Sequence, residues 1–144
     1  NFVGAVFLGW LVFMSGHTAL NNGAIGQTYM QIATAKMSLP PVRAFFSGIM
    51  CNVLVCMAVW VALAGRSVTD KLLAIVFPIT AFVLLGYEHS VANMYLIPAG
   101  WAAGAPVDLG GFLGNLIPVT IGNVIGGAGG VALTYRMAYR PNGG

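Results

Sequence analysis

The 144-residue chain is 58% hydrophobic and only 6% charged, with six basic and three acidic side chains and a net charge of +3. Soluble domains carry roughly 25% charged residues, so this composition excludes a soluble globular fold. The basic residues are scattered and mostly lie near the ends of apolar runs, which is typical of membrane helices and not of nucleic-acid binding. Because these runs are continuous and do not alternate with polar residues, the sequence predicts an all-α integral membrane protein.

The apolar stretches predict four membrane-spanning segments of unequal length. They cover about residues 2–16, 42–64, 68–103 and 112–135. The first is short for a crossing, which needs ~20 apolar residues. The chain starts with neither Met nor the pattern of a signal peptide. We therefore expect residues 1–144 to form a single transmembrane domain that belongs to a longer chain.

The third stretch is too long for one straight crossing. A continuous helix over its 36 residues 72–107 would measure ~54 Å, against ~30 Å of hydrocarbon. Either two short spans meet in a hairpin, or one crossing is broken near residues 86–90. The positive-inside rule leaves both readings open, because each topology places four of the six basic residues on one side.

The segment "LGYEHSVANMY" at 85–95 places Glu88 and His89 inside this apolar stretch. A broken membrane helix frees backbone groups that lipid cannot satisfy, so the break is buried in protein or lines a polar cavity. Such discontinuous helices form ion and substrate sites in transporters. Gly86 permits unusual backbone angles and Ser90 can cap a second half-helix, so Gly86, Glu88 and Ser90 are the candidates that support the break.

Two other features suggest a polar pathway in the apolar chain. Phe82, His89 and Asn93 are spaced by seven and four residues and share one face if helical geometry persists. Asn52 is the strongly polar residue near the middle of the second predicted span. A solvated hairpin tip for the Glu-His pair and interhelical packing for Asn52 remain the alternative interpretations.

The remaining motifs have structural interpretations. Cys51 and Cys56 lie five residues apart on different helix faces and are interpreted as free buried thiols. Gly122, Gly126 and Gly130 form a small-xxx-small stripe, which predicts close helix packing without catalytic content. No metal site, cofactor or catalytic residue is expected.

Three long stretches resemble the formate/nitrite transporter family. They are, in the same order as in the family, "GIMCNVLVCMAVWVALAGRSVTDK", "FPITAFVLLGYEHSVANMYLIPAG" and "NLIPVTIGNVIGG". The resemblance implies spans three to six of an aquaporin-like, six-span inverted repeat, hence the C-terminal half of the fold. It also implies an inner-membrane homopentamer in which each protomer holds its own pore. The family's fifth span is interrupted, which favours the broken crossing over the hairpin.

The resemblance also implies roles for individual residues. His89 matches the family's central pore histidine, and Glu88 matches its neighbouring carboxylate. The other matched pathway positions are the pore-facing Asn52, the vestibule lysine Lys36 and the apolar constriction residues Phe82 and Val55. The family's second span, with a threonine facing the histidine, has no counterpart in this chain.

The expected function is passive or proton-coupled transport of a small monovalent anion across the inner membrane. Formate, nitrite and hydrosulfide are the implied substrates. Protons and the lipid bilayer are the other expected partners. An enzymatic role is not expected. A haem-binding redox anchor with His17 and His89 as ligands is one alternative. His17 lies in a polar, loop-like stretch, which argues against it. The other alternative is a neutral-solute channel, whose flux would not depend on pH.

Overall fold

A computed structural model describes residues 1–139, and these residues form helices and no strands, which confirms the expected all-α class. The helices are α1 (Phe2–Met14), α2 (Ala24–Met37), α3 (Pro41–Ala64), α4 (Val68–Leu84), α5 (Ser90–Ala102), α6 (Leu109–Val124) and α7 (Thr134–Ala138). A 3₁₀ turn covers His17–Ala19, and a π-helix, Ile125–Leu133, joins α6 to α7. Residues 140–144 of the predicted single domain lie outside the described range.

Contacts divide the chain into two compact units, each formed by two segments. The first unit comprises residues 1–44 and 90–118, and the second comprises residues 45–89 and the described residues from 119 to 139. Helices α3 and α6 therefore each contribute to both units. The prediction of a single domain stays a prediction.

In the first unit, α5 packs against both α1 and α2. Gly100 of α5 lies so close to α2 that an added Cβ would collide with the carbonyl oxygen of Tyr29. The hydroxyl groups of Tyr29 and Tyr95 are hydrogen-bonded across the same pair of helices at 2.7 Å. A missing side chain thus allows the helices to approach, and a half-buried pair of hydroxyl groups links them.

In the second unit, the glycine stripe packs against α3. An added Cβ on Gly122 would collide with the carbonyl oxygen of Phe45, and one on Gly126 would collide with that of Ile49. These two glycines are therefore positions where no side chain fits, and the close packing expected from the stripe is confirmed.

Two helical stretches are long and apolar enough to cross a membrane by length and composition. They are Pro41–Ala64 and the uninterrupted helical run Leu109–Ala138, with mean hydropathies of 2.1 and 1.6. They contain the predicted spans 42–64 and 112–135. The shorter α1 is also apolar. Large apolar side chains on these helices face outward, as Leu63 does at 78% exposure, which suits a lipid environment.

The stretch 68–103 is not one helix. Helix α4 ends at Leu84, Gly86 has a left-handed φ of 67°, and α5 begins at Ser90. The N–H of Tyr87 still donates to the carbonyl of Phe82 at 3.0 Å, which closes the last turn of α4. Ser90 is the first helical residue, so the cap position expected for Ser90 is occupied by His89.

Candidate functional site

The interruption brings two aromatic rings together in the second unit. The rings of Phe82 and His89 are stacked, with centroids 5.9 Å apart and planes inclined by 27°. Both side chains are half-buried. The expectation that they share one face assumed that helical geometry persists, but they meet across the interruption at Gly86. The imidazole thus lies against an apolar ring.

The backbone of Glu88 is held from two sides. Its N–H donates to Oγ of Ser47 on α3 at 3.0 Å, and its carbonyl oxygen accepts from Nδ2 of Asn123 on α6 at 3.0 Å. The residue itself is buried, with 6% of its surface exposed. Side chains therefore satisfy backbone groups that the broken helix leaves without helical partners, as an interruption in an apolar environment requires.

Asn123 also links the interruption to Asn52. Its Nδ2 donates a second hydrogen bond, to the carbonyl oxygen of Gly48 at 2.8 Å. Its own backbone carbonyl accepts a hydrogen bond from Nδ2 of Asn52. Asn52 is half-buried, and so is Val55, which lies one turn further along α3. Asn52 therefore makes a hydrogen bond between α3 and α6, as its interpretation as an interhelical packing residue predicts.

In the first unit, Asn93 belongs to a separate amide chain. Its Nδ2 donates to Oδ1 of Asn115 at 2.7 Å, and Nδ2 of Asn115 donates to the backbone carbonyl of Lys36 at 2.8 Å. Asn93 and Asn115 are 0% and 1% exposed, so both amide side chains are fully buried. They join α5 and α6 to the last turn of α2, which carries Lys36.

The candidate residues thus fall into two groups. The second unit contains Phe82, His89, Glu88, Gly86, Asn52 and Val55, whereas the first contains Lys36, Ser90 and Asn93. Within residues 1–139, no group of three or more His, Cys, Asp or Glu side chains is arranged to hold a metal ion. What the second unit offers chemically is one imidazole beside an apolar ring, on a backbone fixed by neutral hydrogen-bonding groups.

Sequence reasoning missed three residues that hold these groups in place. Ser47, Asn115 and Asn123 were not singled out, although each bonds a candidate or its backbone. The available signal was the presence of two asparagines, eight residues apart, in an otherwise apolar span. Buried polar side chains in such spans are costly unless they are paired.

Three comparisons place this chain among known proteins. Residues 1–137 match the family model described as formate/nitrite transporter. The formate channel FocA of Haemophilus influenzae is 40% identical, and the match covers 89% of this chain and 52% of that protein. FocA of Escherichia coli K12 is 39% identical, with 96% and 55% covered. The chain spans about half the length of these curated relatives.

Two solved structures have the same fold. A pentameric formate channel with formate bound superimposes with a TM-score of 0.87 at 33% sequence identity, covering 97% of this chain and 62% of the other. An FNT family ion channel gives a TM-score of 0.87 at 37% identity, covering 96% of this chain and 55% of the other.

Proposed function

Since the chain belongs to the formate/nitrite transporter family, we propose that the protein conducts a small monovalent anion across the inner membrane and that His89 lies on the conduction pathway. Formate is the preferred substrate because the relatives named above are formate channels. Nitrite and hydrosulfide have similar size and charge and are the other members of the proposed substrate class. The assembly we propose is a homopentamer, as in the solved formate channel.

The observation that carries this proposal is the position of His89 at the helix interruption. The imidazole is half-buried on the ring of Phe82, and the preceding residue is fixed on both sides by Ser47 and Asn123. An interruption in an apolar chain costs free energy unless its backbone groups are paired. Keeping one here is consistent with a transport site, where interrupted helices are commonly found.

The proposed mechanism follows from the cost of a bare charge in the membrane. A charged group at the bilayer centre is unfavourable by several kcal/mol, so an apolar constriction at Phe82 and Val55 passes an anion poorly. Lys36 attracts the anion to the vestibule, and a proton supplied at or near His89 lets it cross as the neutral acid. Asn52 offers a neutral hydrogen bond to the permeating species, and Asn93 is proposed to lie along the same pathway.

The two alternatives make different predictions. A haem anchor requires His17 and His89 as axial ligands and would give a Soret band in the purified protein. A neutral-solute channel would give a flux that is independent of pH and unaffected by changes at His89. Family membership favours anion transport over both.

The proposal is tested by His89→Phe in the intact protein reconstituted in liposomes. Phenylalanine nearly keeps the shape of the ring but removes both nitrogens, so we expect the flux of labelled formate between pH 5 and 8 to fall about tenfold or more. The matched control is His17→Phe, which makes the same change at an exposed position in the 3₁₀ turn and should leave the flux unchanged. Flux and pH profile like those of the unaltered protein in folded His89→Phe would remove His89 from the mechanism.

A further inference from the structure

Asn123 is buried beside the interruption, and its amide nitrogen bonds two carbonyl oxygens from different parts of the second unit. One belongs to Gly48 of α3, at 2.8 Å, and the other to Glu88, at 3.0 Å. Only the amide nitrogen can face two carbonyls, so the orientation of the side-chain amide is determined by its partners. Both N–H groups of the amide are thereby used.

The bond to Glu88 acts on the peptide group that leads to His89. The carbonyl of Glu88 and the N–H of His89 belong to one planar unit, so fixing the oxygen fixes the plane from which the Cα–Cβ bond of His89 departs. The preceding peptide plane is fixed in the same way, because the N–H of Glu88 donates to Ser47 at 3.0 Å. Both planes that flank Glu88 are therefore set by side chains of neighbouring helices.

The backbone of Asn123 makes a further contact, to a second pathway candidate. Its carbonyl oxygen accepts from Nδ2 of Asn52. One residue of α6 thus contacts Asn52 through its main chain and the residue before His89 through its side chain. A substitution of the Asn123 side chain removes the contact to Glu88 while the main-chain acceptor for Asn52 stays in place.

We propose that Asn123 is a positioning residue for the conduction pathway, which fixes the direction of the His89 imidazole by holding the Glu88–His89 peptide and keeps Asn52 in register with it. This inference rests on the proposed function for the role of His89 in transport. The geometric part, that Asn123 sets the orientation of the imidazole, does not depend on it. Ser47 holds the preceding peptide, between Tyr87 and Glu88.

The test uses Asn123→Ala in the intact protein, with two separate measurements. The first is the ¹⁵N chemical shift of the His89 ring at fixed pH, which is identified as the signal absent from His89→Phe. We expect this signal to move or broaden in Asn123→Ala, since the peptide that leads to the ring is released. The matched control is Asn115→Ala, which removes an equally buried amide of α6 that bonds Asn93 and the carbonyl of Lys36. It should cost stability without moving the His89 signal.

The second measurement is formate flux in single and double variants. Asn123→Ala should lower flux about tenfold in the unaltered protein and cause little further loss in the His89→Phe background, because both changes act through one group. An unmoved His89 signal in folded Asn123→Ala, or additive losses of flux, would overturn the positioning role. If His89→Phe alone keeps full flux, the proposed function fails while the chemical shift still decides the inference.

Ser47→Ala is the second variant, for the case in which Asn123→Ala does not fold. This substitution removes the half-buried hydroxyl group that accepts from the N–H of Glu88, and it leaves Asn123 intact. We expect a displacement of the His89 signal that is smaller than in Asn123→Ala. The absence of any displacement in folded Ser47→Ala would contradict the proposal.

Discussion

The ring of Phe82 is stacked on the imidazole of His89, with 5.9 Å between centroids, although the helix that carries Phe82 ends two residues later. The helix is interrupted at Gly86, and His89, seven positions after Phe82, lies against the phenyl ring. An apolar ring and a group that can carry a proton therefore form one surface. In the proposed mechanism, this pairing forms the constriction that discriminates between charged and neutral species.

Removing the Phe82 ring should weaken discrimination by size. We expect Phe82→Ala to keep formate flux and to raise the uptake of a larger anion such as acetate several-fold, measured by liposome swelling. Phe77→Ala is the matched control, since Phe77 lies on the same helix and is 70% exposed. Equal selectivity in both variants would show that Phe82 packs against His89 without forming a constriction.

Glu88→Gln should affect stability at least as much as transport. The glutamine keeps the size of the side chain and leaves the backbone bonds to Ser47 and Asn123 in place, but it removes the carboxylate at a buried position. We expect the free energy of unfolding to fall by about 1–3 kcal/mol. The thermal midpoint and the yield in detergent should fall with it. If the variant is as stable as the unaltered protein but transports poorly, Glu88 belongs to the pathway and is not a structural anchor.

Gly126→Ala should destabilise the protein through backbone overlap. An added methyl would collide with the carbonyl oxygen of Ile49, and overpacking of this kind costs about 1–3 kcal/mol. Gly114→Ala is the control, because nothing lies within 4 Å of a Cβ at that position of α6. It should be neutral or stabilising by up to ~1 kcal/mol. Thermal unfolding followed by circular dichroism in detergent would distinguish the two, and equal midpoints would show that α3 can shift to accept a methyl group.

Lys36→Met should weaken the attraction of the anion at low concentration. Loss of this proposed vestibule charge is expected to lower flux roughly two- to fivefold at low ionic strength, with the difference shrinking as salt screens the charge. The control is Lys71→Met, which removes an exposed lysine near the start of α4. A salt-independent loss, or an equal loss in the control, would exclude a steering role for Lys36.

The fold class and the position of the interruption could be predicted from the sequence because both depend on local composition. Continuous apolar runs predict helices, and the Glu-His pair beside Gly86 indicates where helix α4 ends. The partners of the interruption could not be predicted in the same way. Ser47 and Asn123 are 41 and 35 residues from Glu88, and a polar residue in an apolar span does not reveal which distant backbone group it will bond.

The same limit applies to Asn93. Its spacing from His89 suggested a common helical face, but that spacing crosses the start of α5 at Ser90. Its observed side-chain bond is to Asn115, which holds it within an amide chain leading to the carbonyl of Lys36. Periodicity alone could identify Asn93 as unusual in an apolar helix, but not the partner that compensates for its burial.

The π-helix Ile125–Leu133 makes the last described helical run tolerant of a change in length. A π-turn holds a residue more than an α-turn, so deleting one residue there can restore regular α-helix without unfolding the segment. The cost appears downstream, because each residue of α-helix corresponds to about 100° of rotation. Tyr135, whose ring lies 5.4 Å from that of Trp60, would turn away from its partner. A relative that lacks the extra residue should therefore carry a different pair of side chains at these two positions.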